Sequence, residues 1–128
     1  VDGRYRTLKE RNYRAMAGLS MGSMQTSVIT FKNQELFAWA GLFSGFLRDV
    51  MNEDCGHLES AYTDSFRENM CLLFRAMGTE DEFYPVFLED DVICCEKDIP
   101  CLRKTYSGGH EWQVWRKCIR DFAQLIFR

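Results

Sequence analysis

Hydrophobic and polar positions change period several times along the chain. Residues 13–17, "YRAMA", are short and partly apolar and read as a strand running into Gly18 and Ser20. In the following "SMQTSVITFKNQ", Met24, Ser27, Val28 and Phe31 recur at helical spacing, and Asn33 marks a helix end. The segment therefore predicts strand, sharp turn, helix. Residues 37–43, "FAWAGLF", are continuously apolar, as in a strand covered on both faces of a parallel sheet, and "SGF" breaks the run. Residues 46–70 are mixed and charged, with a short helix predicted near 58–69. Residues 71–77, "CLLFRAM", form another strand-like run that "GTED" stops. A loosely helical stretch over 83–97 follows, with Pro85 suited to its first turn. Pro100 imposes an extended entry to "CLRKTY", a further strand, which "SGGH" ends. In the last segment Trp112, Trp115, Ile119, Phe122, Leu125 and Ile126 form an amphipathic helical stripe. Strands alternating with helices predict an α/β fold, one domain over residues 1–128, with a mostly parallel sheet flanked by helices.

Composition narrows the class. The 128 residues are 46% hydrophobic and 14% aromatic, which is enough to build a core. The formal net charge is −3, and cations are spread among acids, so no stripe suited to nucleic acid is present. The apolar runs fall far short of the roughly 20 residues of a membrane span. The opening "VDGRYRTLKERNYR" has no initiator Met and no apolar core of a signal peptide. It reads as the middle of a longer or trimmed chain, and the expected location is cytoplasmic. Of the six cysteines, Cys55, Cys71, Cys94, Cys95, Cys101 and Cys118, none sits in C-x2-C spacing. They are expected to be reduced free thiols, with no metal and no organic cofactor.

Candidate chemistry appears at strand ends, where parallel sheets carry their functional residues. Ser20 lies in Gly18-Leu19-Ser20-Met21-Gly22; Asp81 follows the Gly78-Thr79 turn; His110 follows Gly108-Gly109. A serine hydroxyl becomes nucleophilic when an imidazole takes its proton, and a carboxylate orients that imidazole. The order Ser, acid, His is that of α/β-hydrolase triads. Glu80, Glu82, Asp90 and Asp91 remain alternatives for the acid, and His57 is the other histidine. Side chains at Gly18 or Gly22 are expected to collide across the strand-to-helix elbow. The Met21 amide, at the helix start, is expected to face a developing oxyanion.

Together "RAMAGLSMGSMQT", "LFAWAGLFSG", "GTED" and "GGHEWQVWR" resemble an esterase family of the α/β hydrolases. That family includes feruloyl and acetyl-xylan esterases, the esterase D type, enterochelin esterases and mycolyltransferases. The resemblance runs from about Arg14 to Phe127 and implies nucleophile Ser20, base His110, acid Asp81 and the Met21 amide as one of two oxyanion donors. There are two departures. Family elbows often continue with further glycines where this chain has Gly22-Ser23-Met24, which is expected to crowd the pocket or alter helix packing. The family also has a first half of about equal length that supplies early strands and the second oxyanion amide, so only its C-terminal half is resembled: a truncated or minimal α/β-hydrolase fold. The expected activity is a serine carboxylesterase acting on short acyl or hydroxycinnamoyl esters, small-molecule or carbohydrate-linked. The alternatives are an acyltransferase or a catalytically impaired module acting as an oligomeric interaction domain. An uncovered strand edge predicts a homo-oligomer, most simply a dimer.

Overall fold

The computed structural model describes residues 1–51 and 56–128, so Cys55 lies outside the described residues. Four parallel strands run in sequential order: β1 (Ala15–Leu19), β2 (Trp39–Phe43), β3 (Leu72–Gly78) and β4 (Leu102–Tyr106). Leu19 pairs with Phe43, Phe43 with Ala76, and Gly78 with Tyr106, so all four carboxyl ends finish on one side of the sheet. Between them lie α1 (Met21–Lys32), a 3-10 turn (Gly56–Ala61), α2 (Asp64–Asn69) and α3 (Tyr84–Glu96); α4 (Trp112–Ala123) closes the chain. The predicted helix over 58–69 is thus a 3-10 turn followed by a separate α-helix. The break is set at Thr63, whose hydroxyl caps α2 by accepting from the Phe66 amide at 3.1 Å.

Alternation along β2 and β3 divides the core between two faces. Ala40, Leu42 and Leu73 pack with Phe31 of α1, Phe66 of α2 and Cys94 of α3. Trp39, Phe43, Phe74 and Ala76 pack with Val114, Cys118 and Phe122 of α4. Burial on both faces explains why β2 reads as an unbroken apolar run. The buried side of α1 carries hydroxyls as well as Met24 and Phe31. Thr26, Ser27 and Thr30 bond back to the Gly22, Met24 and Thr26 carbonyls at 2.8, 2.9 and 2.7 Å. These groups enter the core already satisfied.

The predicted apolar stripe of the last helix is only partly a core face. Phe122 is buried, but Trp112 and Ile119 are 67% and 49% exposed. Val114 and Cys118 take the central positions over the sheet instead. The stripe is rotated toward β1, where Trp112, Trp115 and Ile119 line an open cleft of about 270 Å³ with Leu19 and Phe43. Among the described residues, no helix is long and apolar enough to cross a membrane.

Candidate active site

At the end of β1 the backbone turns through Ser20 with φ 54° and ψ −120°, a conformation that a non-glycine residue keeps only when its surroundings enforce it. Its amide donates to the Phe43 carbonyl at 3.0 Å, and its carbonyl accepts from the Ser23 amide at 2.9 Å and the Ser23 hydroxyl at 2.5 Å. Ser23 Oγ in turn accepts from the Phe46 amide at 3.1 Å. The residue expected to crowd the pocket is instead buried beneath the turn, tying the elbow to the segment after β2.

The two motif glycines are not equivalent. A Cβ at Gly18 would stand 2.2 Å from the Gly22 carbonyl oxygen, whereas a Cβ at Gly22 would meet nothing within 4 Å. The expectation that both positions exclude side chains therefore holds for Gly18 alone. The close approach is made by the backbone of Gly22, and its missing side chain points into open space.

Ser20, His110 and Asp81 form one hydrogen-bonded chain. His110 Nε2 lies 2.9 Å from Ser20 Oγ, and His110 Nδ1 lies 2.8 Å from Asp81 Oδ2. With the ring proton on Nδ1, the imidazole donates to the carboxylate and accepts from the serine hydroxyl. The other Asp81 oxygen accepts from the Phe83 amide at 2.9 Å, and the carboxylate is buried. The alternative acids are elsewhere. Glu80 and Glu82 are exposed. Asp90 accepts from Arg48 and the Leu47 amide, and Asp91 from Arg75 and Arg103. Burial pushes the Asp90 carboxyl up, against the pull of the Leu47 amide and Arg48. His57 is buried apart from the trio, with Nε2 2.5 Å from the Leu47 carbonyl and 3.5 Å from Ser27 Oγ.

Two loops set the acid against the imidazole. The Thr79 amide donates to the Tyr106 carbonyl at 2.8 Å, and the Glu80 amide to the Gly108 carbonyl at 2.9 Å. The approach requires glycine: a Cβ at Gly78 would lie 2.2 Å from the Gly108 oxygen, and Gly108 itself has φ +126°.

Three residues around His110 escaped the sequence reading as site residues. Phe83 and Trp115 meet its ring edge-on, at centroid distances of 5.4 and 5.2 Å. Trp115 is anchored by its indole N–H, which donates to Ser44 Oγ at 2.8 Å. Ser44 follows β2 directly, with φ 45°. Its place beyond a strand's carboxyl end was the available signal; Trp115 was masked by its membership of an apolar stripe.

As the first residue of α1, Met21 carries an amide that the helix does not itself use, beside the Ser20 hydroxyl. The Met21 side chain, 61% exposed, opens onto an apolar cleft of about 330 Å³ that also includes Met24, Val28, Ile29 and Met51. Among the described residues, no group of three or more His, Cys, Asp or Glu is arranged to hold a metal ion. Chemically, the trio is an arrangement able to deprotonate a hydroxyl at a helix N-terminus.

No protein-family model matches the chain. It is 27% identical over 130 residues to an endo-1,4-beta-xylanase/feruloyl esterase from Xylanibacter ruminicola, covering all of this chain and 16% of that protein. A ferulic acid esterase from the anaerobic fungus Anaeromyces mucronatus superposes with a TM-score of 0.78 at 21% identity, over 98% of this chain and 48% of that one. An S-formylglutathione hydrolase from Staphylococcus aureus gives 0.75 at 18% identity, over 97% and 55%. The chain thus spans about half the length of the solved structures it matches. It has the α/β-hydrolase fold in this short form, and its likeness is to the esterases of that superfamily.

Proposed function

We propose that this chain carries the nucleophile, base and acid of a serine carboxylesterase. The carrying observation is the continuous relay in which His110 stands 2.9 Å from Ser20 and 2.8 Å from Asp81. Ser20 Oγ attacks the ester carbonyl while His110 Nε2 takes its proton, and Asp81 stabilises the imidazolium. The carbonyl oxygen becomes an oxyanion facing the Met21 amide and the positive end of α1. His110 then protonates the leaving alcohol, and water releases the acid by the same steps in reverse. The base works only when neutral, so activity falls on acidification. The likeness to feruloyl and ferulic acid esterases supports short acyl or hydroxycinnamoyl esters, including carbohydrate-linked ones, as substrates. The apolar cleft beside β1 favours assembly as well: in this reading the chain pairs with itself through the β1 side.

The test is hydrolysis of p-nitrophenyl acetate together with labelling by a fluorophosphonate. The expected result is one label per chain on Ser20, and loss of at least about 10³-fold in turnover for Ser20→Ala. Near-wild-type hydrolysis by a pure, folded Ser20→Ala protein overturns the proposal.

A further inference from the structure

Arg75 is a buried cation in the middle of β3, at the side of the sheet where α3 packs. Its guanidinium donates to Asp91 at 2.7 Å and to the Phe87 carbonyl at 3.0 Å, and lies over the Phe87 ring. It also points at a sulfur: Nη1 is 3.9 Å from Cys101 Sγ. Cys101 immediately precedes β4, at the opposite end of the sheet from Ser20. It is half-buried and opens onto a cleft of about 220 Å³ with Met70, Cys71, Leu73 and Pro100. On its inner side Cys101 packs against the cluster that contains the buried Cys94 of α3. The two thiols lie close enough for each to act on the other's ionisation. The arrangement is therefore graded in access. One sulfur is reachable from the cleft and held beside a guanidinium; the second is buried in the cluster that the first packs against.

We propose that Cys101 and Cys94 form a peroxide-reactive thiol pair, in which Cys101 is the attacking sulfur and Cys94 the resolving one. Cys94 foremost, and then the Arg75 guanidinium, hold the Cys101 thiol below the ordinary cysteine value, which favours its thiolate. Cys101 and burial push the Cys94 thiol up, so of the two sulfurs Cys101 is the one that reacts first. In the first step the Cys101 thiolate attacks a hydroperoxide; a sulfur–oxygen bond forms, the oxygen–oxygen bond breaks, and the hydroxide released is protonated to water. In the second, the Cys94 sulfur attacks the Cys101 sulfenic acid; the disulfide forms, the sulfur–oxygen bond breaks, and the Cys94 proton leaves with the hydroxide as water. Two thiols lose two electrons, and hydrogen peroxide is reduced to two waters. The proposal stands apart from Ser20 chemistry and does not depend on it.

Cys71 is more exposed than Cys101 and serves as the internal control. The experiment treats the reduced chain, in a Cys95→Ser background, with a slight excess of hydrogen peroxide and maps cross-linked peptides by mass spectrometry. The expected product joins Cys94 to Cys101. Cys101→Ser removes it, and Cys94→Ala leaves a sulfenic acid on Cys101 that dimedone traps. A cross-link through Cys71 or Cys55 in place of Cys94 overturns the proposal. So does a Cys101 that reacts no faster than Cys71, or a Cys94→Ala protein without a dimedone adduct. The cross-link map and the comparison of Cys101 with Cys71 are read on protein with both thiols present, and the Cys94→Ala result is read on protein whose circular dichroism matches wild type, so a folding defect cannot mimic an overturning result.

Discussion

The two outer strands of the sheet are built on opposite lines. On β4, Arg103, Lys104 and Thr105 are exposed. Arg103 pairs with Asp91 of α3 at 2.8 Å, and Lys104 and the Tyr106 hydroxyl reach Asp121 of α4 at 3.3 and 2.7 Å. Charges tethered to neighbouring helices make that edge unsuitable for pairing with another chain. On β1 the sequence is Ala-Met-Ala-Gly-Leu, with no charge at all, and the cleft beside it exposes Trp112 and Ile119. One edge is finished and the other is left apolar. The difference marks the β1 side as the edge through which the proposed self-pairing would run, and the nucleophile stands on that side.

Substituting the tightest glycine on each side is the strongest way to break that comparison. Gly78→Ala and Gly18→Ala both drive a methyl to 2.2 Å from a backbone oxygen. Both are expected to cost more than about 3 kcal/mol in denaturant unfolding. β3 is paired on both sides whereas β1 is paired on one, so Gly78→Ala is expected to cost more than Gly18→Ala. Equal costs would show that β1 is held as firmly as the interior strand.

Association is the next effect in size. Light scattering over micromolar concentrations is expected to show a dimer, and Ile119→Lys to weaken it more than about tenfold, close to 1.4 kcal/mol, by setting a charge in the apolar cleft. A monodisperse wild-type monomer at tens of micromolar would mean that the β1 side closes on itself.

Two smaller effects sharpen the contrast. Gly22→Ala has room for its methyl and lies in a helix, so it is expected to add about 0.5 kcal/mol of stability while Ser20 labelling persists. On the finished edge, Arg120 foremost, then Tyr106 and Lys104, hold the Asp121 carboxyl well below the usual carboxylate range. A carboxyl lowered on folding stabilises above its unfolded value and loses that contribution as pH falls. Asp121→Asn is therefore expected to cost roughly 0.5 kcal/mol at neutral pH. In thermal melts the gap from wild type should narrow below about pH 4.

The order of elements, the turn at Ser20 and the strand-end positions of Asp81 and His110 were legible in the residues themselves. Strand runs, helical periods and glycine breaks depend on neighbours within a few positions, and those neighbours are written consecutively. Tertiary structure decided what spans long separations. His110 meets Ser20 across 90 positions only because β1 to β4 register their carboxyl ends together. The same register picks Asp81 from the five candidate acids, since its oxygen is the one that reaches His110. It turns part of the α4 stripe away from the core, because α4 centres Val114 and Cys118 over the sheet and leaves Trp112 and Ile119 beside β1. It also hides Arg75 inside an apolar run, where Asp91 and the Phe87 carbonyl satisfy its charge. Each of these outcomes depends on distances between elements, and periodicity along one element carries no information about them.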